Sequence, residues 1–201
     1  VVNDRNRPMT VEVTVNRLTL PQRGDPVLTK TDGADFMIFP TIAQIQPGGR
    51  QIFRVRYIGK PDLAESQLYT FATTELPVAS DPNEQRAQVQ VLYSINSIVA
   101  VRPAKGQPDI KAVAAERGTN AKGVAGVYVT FENDGPGHGY VTNAVLELKS
   151  GAWDKKFDSA QLGNAFGIGL IPANAKRDMF VPVNDVPATG AISADIKIQK
   201  S

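Results

Sequence analysis

One histidine, His138, is the side chain best suited to acid–base chemistry at neutral pH, and the chain has no cysteine. These counts exclude thiol catalysis, cysteine zinc sites and metal sites built from several histidines. A Ser–His–acid triad would have to use His138 as its base, and no nucleophile or second carboxylate is marked beside it. The histidine lies in a glycine-rich stretch, 135–139, but a phosphate-binding loop needs a helix start and usually a lysine. Strands flank this stretch, so we predict a flexible hairpin connection.

The acidic residues form no recognisable metal-binding pattern. Asp32 and Asp35 follow a calcium-loop pattern only faintly, and the later acidic ligand is missing, so a turn is predicted there. The chain has 22 basic and 20 acidic residues, a net charge of +2, which gives no reason to expect non-specific nucleic-acid binding. No stretch approaches the length of apolar sequence that a membrane-spanning helix needs. No metal, cofactor or membrane insertion is therefore predicted.

Period-2 alternation of apolar and polar residues recurs along the chain, while helical periodicity does not. This pattern predicts an all-β protein of short strands. A bulge or bend is expected near Asn16, where the apolar parity of the first strand changes, and single helical turns are expected at 62–66 and 159–165. The strand at 140–148 is expected to pair back onto the strand at 127–131. The predicted strands lie at 9–20, 36–39, 53–57, 67–76, 88–101, 127–131, 140–148, 153–157, 178–183 and 191–198.

The length of 201 residues suits one large domain or two domains of about 100 residues each. A Pro-Ala-Lys-Gly-Gln-Pro stretch follows the longest predicted strand, and proline cannot donate a hydrogen bond to a β-ladder. We therefore predict a first domain at 1–102, a linker at 103–108 and a second domain at 109–201. The recurrence of strands at intervals of roughly 8–12 residues favours a sandwich or barrel in each domain.

The longest predicted strand carries a stripe of four apolar residues on one face, Val89, Val91, Tyr93 and Ile95. Its opposite face is mostly polar, with only Leu92 apolar. Two interpretations stay open for the stripe. It is either the core face of a sandwich strand or an exposed edge that completes the fold of another protein. Composition does not separate them, because both need an amphipathic strand.

Several short motifs, in a fixed order and at fitting distances, resemble landmarks of the periplasmic pilus-assembly chaperones, the PapD-like family of the chaperone–usher pathway. The resemblance spans nearly the whole chain. Each motif is short, and their order makes the match specific. The motifs are FMIFP at 36–40, IQPG at 45–48, QIFRV at 51–55, ESQLY at 65–69 with ELP at 75–77, the alternating strand that ends in RP at 102–103, FEN at 131–133, LIP at 170–172 and ND at 184–185.

The resemblance implies two Ig-like β-sandwiches set at an angle like a boomerang. Residues 1–3 would belong to the second strand of domain one, so the first strand would lie outside the given sequence. The implied function is a periplasmic chaperone that binds a pilus subunit (a pilin) by donor-strand complementation and delivers it to an outer-membrane usher. Its donor face would consist of Val89, Val91, Tyr93 and Ile95.

The resemblance also implies roles for single residues. Glu65, Arg102 and Asp185 match the family's Glu, Arg and Asp at the hinge, so an interdomain ionic cluster is expected. The planar guanidinium of Arg102 can engage two carboxylates at once. Structural roles are assigned to Pro40, Pro47 and Arg54, the last held by polar partners.

Three positions depart from the family pattern. Ala64 replaces the arginine usual in its motif, and Thr41 stands where many members have a second proline. Ile98 occupies the place of a lysine that anchors the pilin's C-terminal carboxylate, and the arginine that shares this task belongs to the missing first strand. These departures favour a divergent branch such as the archaic chaperones. The short connection at 78–86 and the lack of cysteine argue against the long-loop branch.

Two other classes of function remain as alternatives. A structural pilin or adhesin of a surface fibre would be a single sandwich with its own donor segment, which the two-domain length disfavours. An enzyme on a β scaffold, such as a carbohydrate-active protein, would need paired carboxylates in a cleft, and no such pair stands out. We therefore predict a binding protein, not an enzyme, with pilin and usher as its partners.

Overall fold

The computed structural model describes residues 1–31, 35–77 and 91–199. The described chain is almost entirely β-structure, with one short helix. Its contacts divide it into two compact units. The domain limits predicted from the sequence stay predictions. The first unit comprises Val1–Thr19, Leu28–Asp62 and Leu68–Val99, and the second comprises Leu20–Val27, Leu63–Gln67 and Ala100–Ser201.

The first unit is built mainly from strands in two sheets. These strands are β1 (Met9–Thr19), β2 (Val27–Lys30), β3 (Phe36–Phe39), β4 (Ile42–Ile45), β5 (Arg54–Tyr57), β6 (Gln67–Leu76) and β7 (Ser94–Val101). The larger sheet has the order β2-β1-β6-β7, with β4 also paired to β1, and β3 pairs with β5 in a second sheet. All of the described pairings for which the register is defined are antiparallel.

Aromatic side chains pack the two sheets of the first unit together. The ring of Phe36 on β3 lies edge-on to Tyr57, Tyr69 and Phe71, with centroid separations of 5.3, 4.8 and 5.0 Å. Such edge-to-face pairs contribute about 0.5–1.5 kcal/mol each beyond the burial of their area. Tyr69 and Phe71 both belong to β6, so this cluster fixes β6 firmly, and β6 is the strand on which β7 is paired.

Three predictions for the first unit are wrong in detail. The register between β1 and β6 runs without a shift from Thr10↔Leu76 to Arg17↔Tyr69, so the described ladder has no bulge at Asn16. The segment 62–66 forms bends and not a helical turn. The long strand predicted at 88–101 begins only at Ser94 within the part that the structure describes.

The second unit contains three further sheets and the helix. Its elements are β8 (Ile110–Thr119), β9 (Ala125–Asn133), β10 (Gly139–Tyr140), β11 (Ala144–Ser150), β12 (Trp153–Phe157), α1 (Ser159–Phe166), β13 (Leu170–Ile171), β14 (Ala175–Pro182) and β15 (Ser193–Ile198). The sheets have the orders β14-β9-β8, β12-β11-β15 and β10-β13. Their apolar faces share one core, which includes Val127, Val129, Phe131, Leu146, Leu148, Leu162 and Val181.

The sequence predicted the second unit less completely than the first. Strand β8 was not expected, because its sequence IKAVAAERGT lacks a clear alternation of apolar and polar residues. Strand β11 pairs with β12 and β15, so the expected return of 140–148 onto 127–131 is wrong. The helical turn at 159–165 is confirmed as α1, where Asp158 and Gln161 form a capping box and Leu162 is buried.

The glycine-rich stretch around His138 connects β9 to β10, but it is packed and not free. The N–H of Gly137 donates to the carbonyl of Gln107, with 3.1 Å between N and O. A methyl group at Gly135 would lie 2.3 Å from that carbonyl oxygen, and one at Gly137 would lie 2.4 Å from the carbonyl oxygen of Gly106. The glycines are therefore required by the close approach of the segment 106–109.

Candidate functional site

Strand β7 stands at one end of the larger sheet, paired only with β6 among the described strands. The side chain of Ile95 on β7 is 64% exposed, and those of Val91 and Tyr93, directly before β7, are 58% and 61% exposed. An apolar stripe at these positions is unusual on a free edge, because unpaired backbone groups and apolar side chains together invite association with another chain. The exposure of these three side chains shows that the described part of the stripe is not buried in a core, while its role as an edge that completes another protein stays a prediction.

The predicted stripe extends beyond the described residues at its N-terminal end, since Val89 lies outside them. Pairing with β6 continues one residue before β7, because the N–H of Glu75 donates to the carbonyl oxygen of Tyr93 at 2.8 Å. The hydroxyl groups of Thr74 and Ser94 are 3.0 Å apart on the same two strands. Tyr93, directly before β7, is thus tied to β6 by one backbone hydrogen bond.

A charged cluster that the sequence did not predict lies beside Tyr93. The Arg5 guanidinium lies over the Tyr93 ring, 5.2 Å from its centroid. Its Nη1 is 2.5 Å from Oε1 of Glu75, a carboxylate that is 5% exposed, and Nη2 of Arg7 is 3.7 Å from the same oxygen. Arg5, Glu75 and Tyr93 line a cavity of about 240 Å³ that also touches Ile95.

No local sequence pattern predicts this cluster. Arg5 and Glu75 are 70 residues apart, and the loop that carries Arg5 has no periodic pattern. The only available signal was that Glu75 sits at an inward-facing position of β6, where a carboxylate needs a cation. Finding that cation required the tertiary structure.

The first unit contains a second polar cluster, formed around the hydroxyl of Tyr69 on β6. The hydroxyl of Tyr69 donates to Oδ2 of Asp35 at 2.7 Å and accepts from Nη1 of Arg17 at 3.2 Å. Burial, followed by the hydrogen bond to Asp35, raises the pKa of Tyr69 well above its ordinary value. Tyr69 therefore stays a neutral hydrogen-bond donor across the physiological pH range, and its bond to Asp35 holds β6 in place.

The three residues of the predicted ionic cluster all lie in the second unit and are exposed. Glu65 accepts a hydrogen bond from Nδ2 of Asn174 at 2.7 Å, and Asp185 pairs with Nζ of Lys155 at 2.8 Å. Neither carboxylate forms an ion pair with Arg102 within the described residues. The ionic cluster stays a prediction.

The remaining predicted residues are placed as follows. Pro47 occupies the second position of a tight turn, closed by a 2.8 Å hydrogen bond from the N–H of Gly49 to the carbonyl of Gln46. Pro40 directly follows β3. The side chain of Arg54 is exposed, and the polar partners predicted for it are not found among the described residues. Ile98 is 41% exposed on β7.

The described residues hold no group of three or more His, Asp or Glu side chains arranged to bind a metal ion. His138 is occupied structurally, because its Nδ1 and its backbone N–H both lie 3.1 Å from the buried Ser66 hydroxyl. Burial, and secondly the charge of Arg102, lower the pKa of His138. Within the described part of the chain, no helix has the length and apolar character to span a membrane.

Residues 1–107 match the family model described as pili and flagellar-assembly chaperone, PapD N-terminal domain. No curated protein sequence matches the chain. Among solved structures, the class 5 fimbriae chaperone CfaA is 10% identical with a TM-score of 0.56, covering 99% of this chain and 90% of its own. The YadV chaperone is 14% identical with a TM-score of 0.54, covering 97% of this chain and 80% of its own.

A third similar structure is the CsuC–CsuE chaperone–tip adhesion subunit pre-assembly complex from the archaic chaperone–usher Csu pili of Acinetobacter baumannii. It is 15% identical with a TM-score of 0.52, covering 94% of this chain and 80% of the other. At such low identity these likenesses establish the fold. The prediction of an all-β chain with two Ig-like sandwiches is confirmed.

Proposed function

Because the chain belongs to the family of pili and flagellar-assembly chaperones, we propose that it holds an incomplete pilus subunit by lending it the β7 edge as a donor strand. Pilus-assembly chaperones of chaperone–usher systems are binding proteins and not a class of enzyme. The coarse function follows from the family. The donor mechanism, the identity of the donor residues and delivery to an usher are the proposal.

One observation carries the mechanism: the apolar side chains of Val91, Tyr93 and Ile95 are exposed at and directly before β7, the end strand among the described strands of the larger sheet. A subunit that lacks its last strand has an apolar groove and unpaired backbone groups, both unfavourable in water. An added strand supplies ladder hydrogen bonds, while its alternate side chains fill successive pockets. Residues i, i+2 and i+4 point the same way, so these three side chains meet that requirement.

Burial of this apolar edge would supply part of the free energy of a complex, and the ladder hydrogen bonds would add to it. Full burial of each of the three side chains contributes roughly 1.5–3 kcal/mol before the costs of association are subtracted. The hydroxyl of Tyr93 needs a polar partner or water in the complex, since a buried unpaired hydroxyl is unfavourable. Val89, outside the described residues, is assigned to the same face by the period of two.

A second exposed surface supports a second partner, which we assign to the usher. On the outer face of β3 and β5, Met37 is 56% exposed and Phe39 68%, and in the strand register they lie opposite Arg56 and Arg54. Neither arginine forms an ion pair with a described residue. An apolar pair beside two free cations suits a partner segment with apolar and acidic side chains.

The periplasm is the proposed location, because an incomplete pilus subunit must be held between export and assembly at the outer membrane. The subunit-binding domain is proposed to be 1–102, joined by the linker 103–108 to the domain 109–201. The crystal structure of CsuC with CsuE, named as a chaperone with a tip adhesion subunit, supports a pilus or tip subunit as the kind of partner.

The decisive experiment changes Val91 and Tyr93 to Asp together and measures recovery of the pilus subunit encoded beside the chaperone gene, after co-expression and affinity purification from periplasm. Two charges on the donor face cannot enter an apolar groove, so the subunit should be lost from the purified complex. The matched control places two charges on the opposite face of the same segment, by changing Leu92 and Asn96 to Asp, and should retain the subunit.

Unchanged recovery with the Val91 and Tyr93 variant would overturn the donor assignment, provided that circular dichroism shows a folded protein. The usher assignment is tested separately with Phe39→Glu, because a negative charge on the second surface should repel an acidic partner. This variant should still recover the subunit while fewer pili appear on cells. A loss of subunit recovery would show that this surface belongs to the subunit site instead.

A further inference from the structure

The loop at 4–8 reaches the exposed edge through one side chain, Arg5. Its guanidinium lies 5.2 Å from the centroid of the Tyr93 ring and 2.5 Å from Oε1 of Glu75. We infer that Arg5 is a positioning residue, which orders Tyr93 and the start of the donor strand before the partner subunit arrives. The inference rests on the proposed function, since it assigns a role to Arg5 in the same binding event.

Arg5 itself is held in place by a buried asparagine. Asn3 is 1% exposed, and its Oδ1 accepts the backbone N–H of Arg5 at 3.1 Å. Its Nδ2 donates to the carbonyl oxygens of Arg7 at 2.8 Å and Ile45 at 2.9 Å. The start and the end of the Arg5 turn are therefore both tied to one side chain, so the guanidinium is presented from a fixed loop.

Glu75 links the same segment twice. Its backbone N–H donates to the carbonyl oxygen of Tyr93, and its buried carboxylate holds the guanidinium that covers the Tyr93 ring. Backbone and side chain of Tyr93 are thus restrained from one residue of the firmly packed strand β6. The second oxygen, Oε2, has no hydrogen-bond partner, so the carboxylate depends on its two arginine neighbours for compensation.

This arrangement affects binding through the entropy of the free chaperone. Tyr93 precedes β7 and is 61% exposed, so without a restraint its ring would sample several rotamers. Fixing a side chain on association has an entropic cost, and a ring that is already oriented avoids part of that cost. A cation over a tyrosine face at an exposed site contributes about 0.5–1 kcal/mol, which corresponds to a change in affinity of about 2- to 5-fold.

The first test uses the free protein and is independent of any partner. In NMR spectra, the δ-methylene protons of Arg5 should be shifted upfield by the Tyr93 ring, and the shift should vanish in Tyr93→Leu. Amide hydrogen exchange at residues 94–96 should be faster in Arg5→Ala than in the wild type. Unshifted Arg5 protons in the wild-type chain would overturn the inference.

The second test measures the dissociation constant for the same co-expressed pilus subunit, after release and rebinding. Arg5→Ala should weaken binding about 2- to 5-fold, and Arg5→Lys should recover part of the loss, because lysine keeps the cation but not the planar fork. Arg7→Ala is the matched control: it removes the same charge from the same loop, 3.7 Å from Glu75, and should leave the affinity unchanged.

Equal losses from Arg5→Ala and Arg7→Ala would mean that charge alone matters, and the positioning role would be wrong. In the double variant Arg5→Ala with Tyr93→Leu, the loss should equal that of Tyr93→Leu alone, while fully additive losses would also contradict it. A wild-type chain that fails to bind the subunit would refute the proposed function, whereas the NMR result on Arg5 and Tyr93 would still stand or fall by itself.

Discussion

Asn3 and Asn133, one in each unit, share a set of three side-chain hydrogen bonds, and Oδ1 of Asn133 accepts one more, from the backbone N–H of Asp109 at 2.9 Å. Each Oδ1 accepts the backbone N–H two residues later, from Arg5 and Gly135, at 3.1 Å. Each Nδ2 donates to the carbonyl oxygen four residues later and to one distant carbonyl. Both asparagines are 1% exposed, and both precede an aspartate in the sequence. In both units the loop after the asparagine is thus closed by hydrogen bonds to the asparagine side chain. The sequence alone did not indicate this repeated arrangement.

Alanine at either asparagine should destabilise the unit that contains it. Each change leaves buried backbone groups without partners, so the expected loss is about 2–3 kcal/mol in the free energy of unfolding. Trp153, the only tryptophan, reports the second unit by fluorescence in a urea titration. Asn133→Ala should lower the midpoint of that transition more than Asn3→Ala does. A loss below about 0.5 kcal/mol from Asn133→Ala would show that water replaces these bonds at little cost.

Acidification should weaken the fold through His138. Burial and the charge of Arg102 lower its pKa in the folded state, so the unfolded chain takes up the proton first, near pH 6.5. The contribution of His138 to the free energy of unfolding is therefore fully present above that pH and is lost as the pH is lowered through it. The groups described around the ring are the Ser66 hydroxyl, the Tyr140 ring and Arg102.

This prediction is checked by urea titrations at pH 7.5 and pH 5.5, with His138→Asn as the comparison. The wild type should lose more stability between the two pH values than the variant does. Glu147, whose pKa Lys156 and Lys149 hold at about 2, stays charged across this window and does not contribute. Identical pH dependence in the two proteins would exclude His138 as the source.

Two glycines with opposite environments give a matched pair of substitutions. Gly137→Ala should destabilise the protein by roughly 1 kcal/mol or more, because the added methyl group would lie 2.4 Å from the backbone oxygen of Gly106. Gly163→Ala in α1 meets no atom within 4 Å and should stabilise the helix by about 0.5–1 kcal/mol. Differential scanning calorimetry should show melting temperatures that move in opposite directions, and a rise for both would contradict the packed environment of Gly137.

Removing the buried carboxylate of Glu75 should cost more than removing an exposed one. Glu75→Gln leaves Arg5 and Arg7 without a counter-charge in a partly enclosed site, so a loss of about 1–3 kcal/mol is expected. Glu132→Gln, which breaks a pair with Lys176 nearer the surface, should cost about 0–1 kcal/mol. Urea unfolding of both variants measures the difference, and equal costs would mean that Glu75 is effectively solvated.

The positions of strands were predictable where one face of a strand is buried and the other is exposed to solvent. The runs at 36–39 and 153–157 were predicted with the bounds that the structure has, because their alternation reflects two different environments. The bounds of 67–76 were also predicted, although Leu68, Tyr69, Thr70 and Phe71 are buried in succession. Strand β8 has no such contrast, with exposed and half-buried residues along its length, so its sequence carried no signal. Its pairing with β9 comes from the neighbouring strand instead.

The sequence by itself determined that the chain is all-β and that it has no cysteine chemistry, and it predicted that Val91, Tyr93 and Ile95 share one face. The alternation of apolar and polar residues is a local property, so it can be read directly from the sequence. Whether that face is covered or free depends on which strands lie beside it, and only the tertiary structure decided that β7 stands at an edge. The same holds for Arg5 and Glu75. Residues so distant along the chain meet only because the sheet brings them together, and no local pattern encodes that meeting.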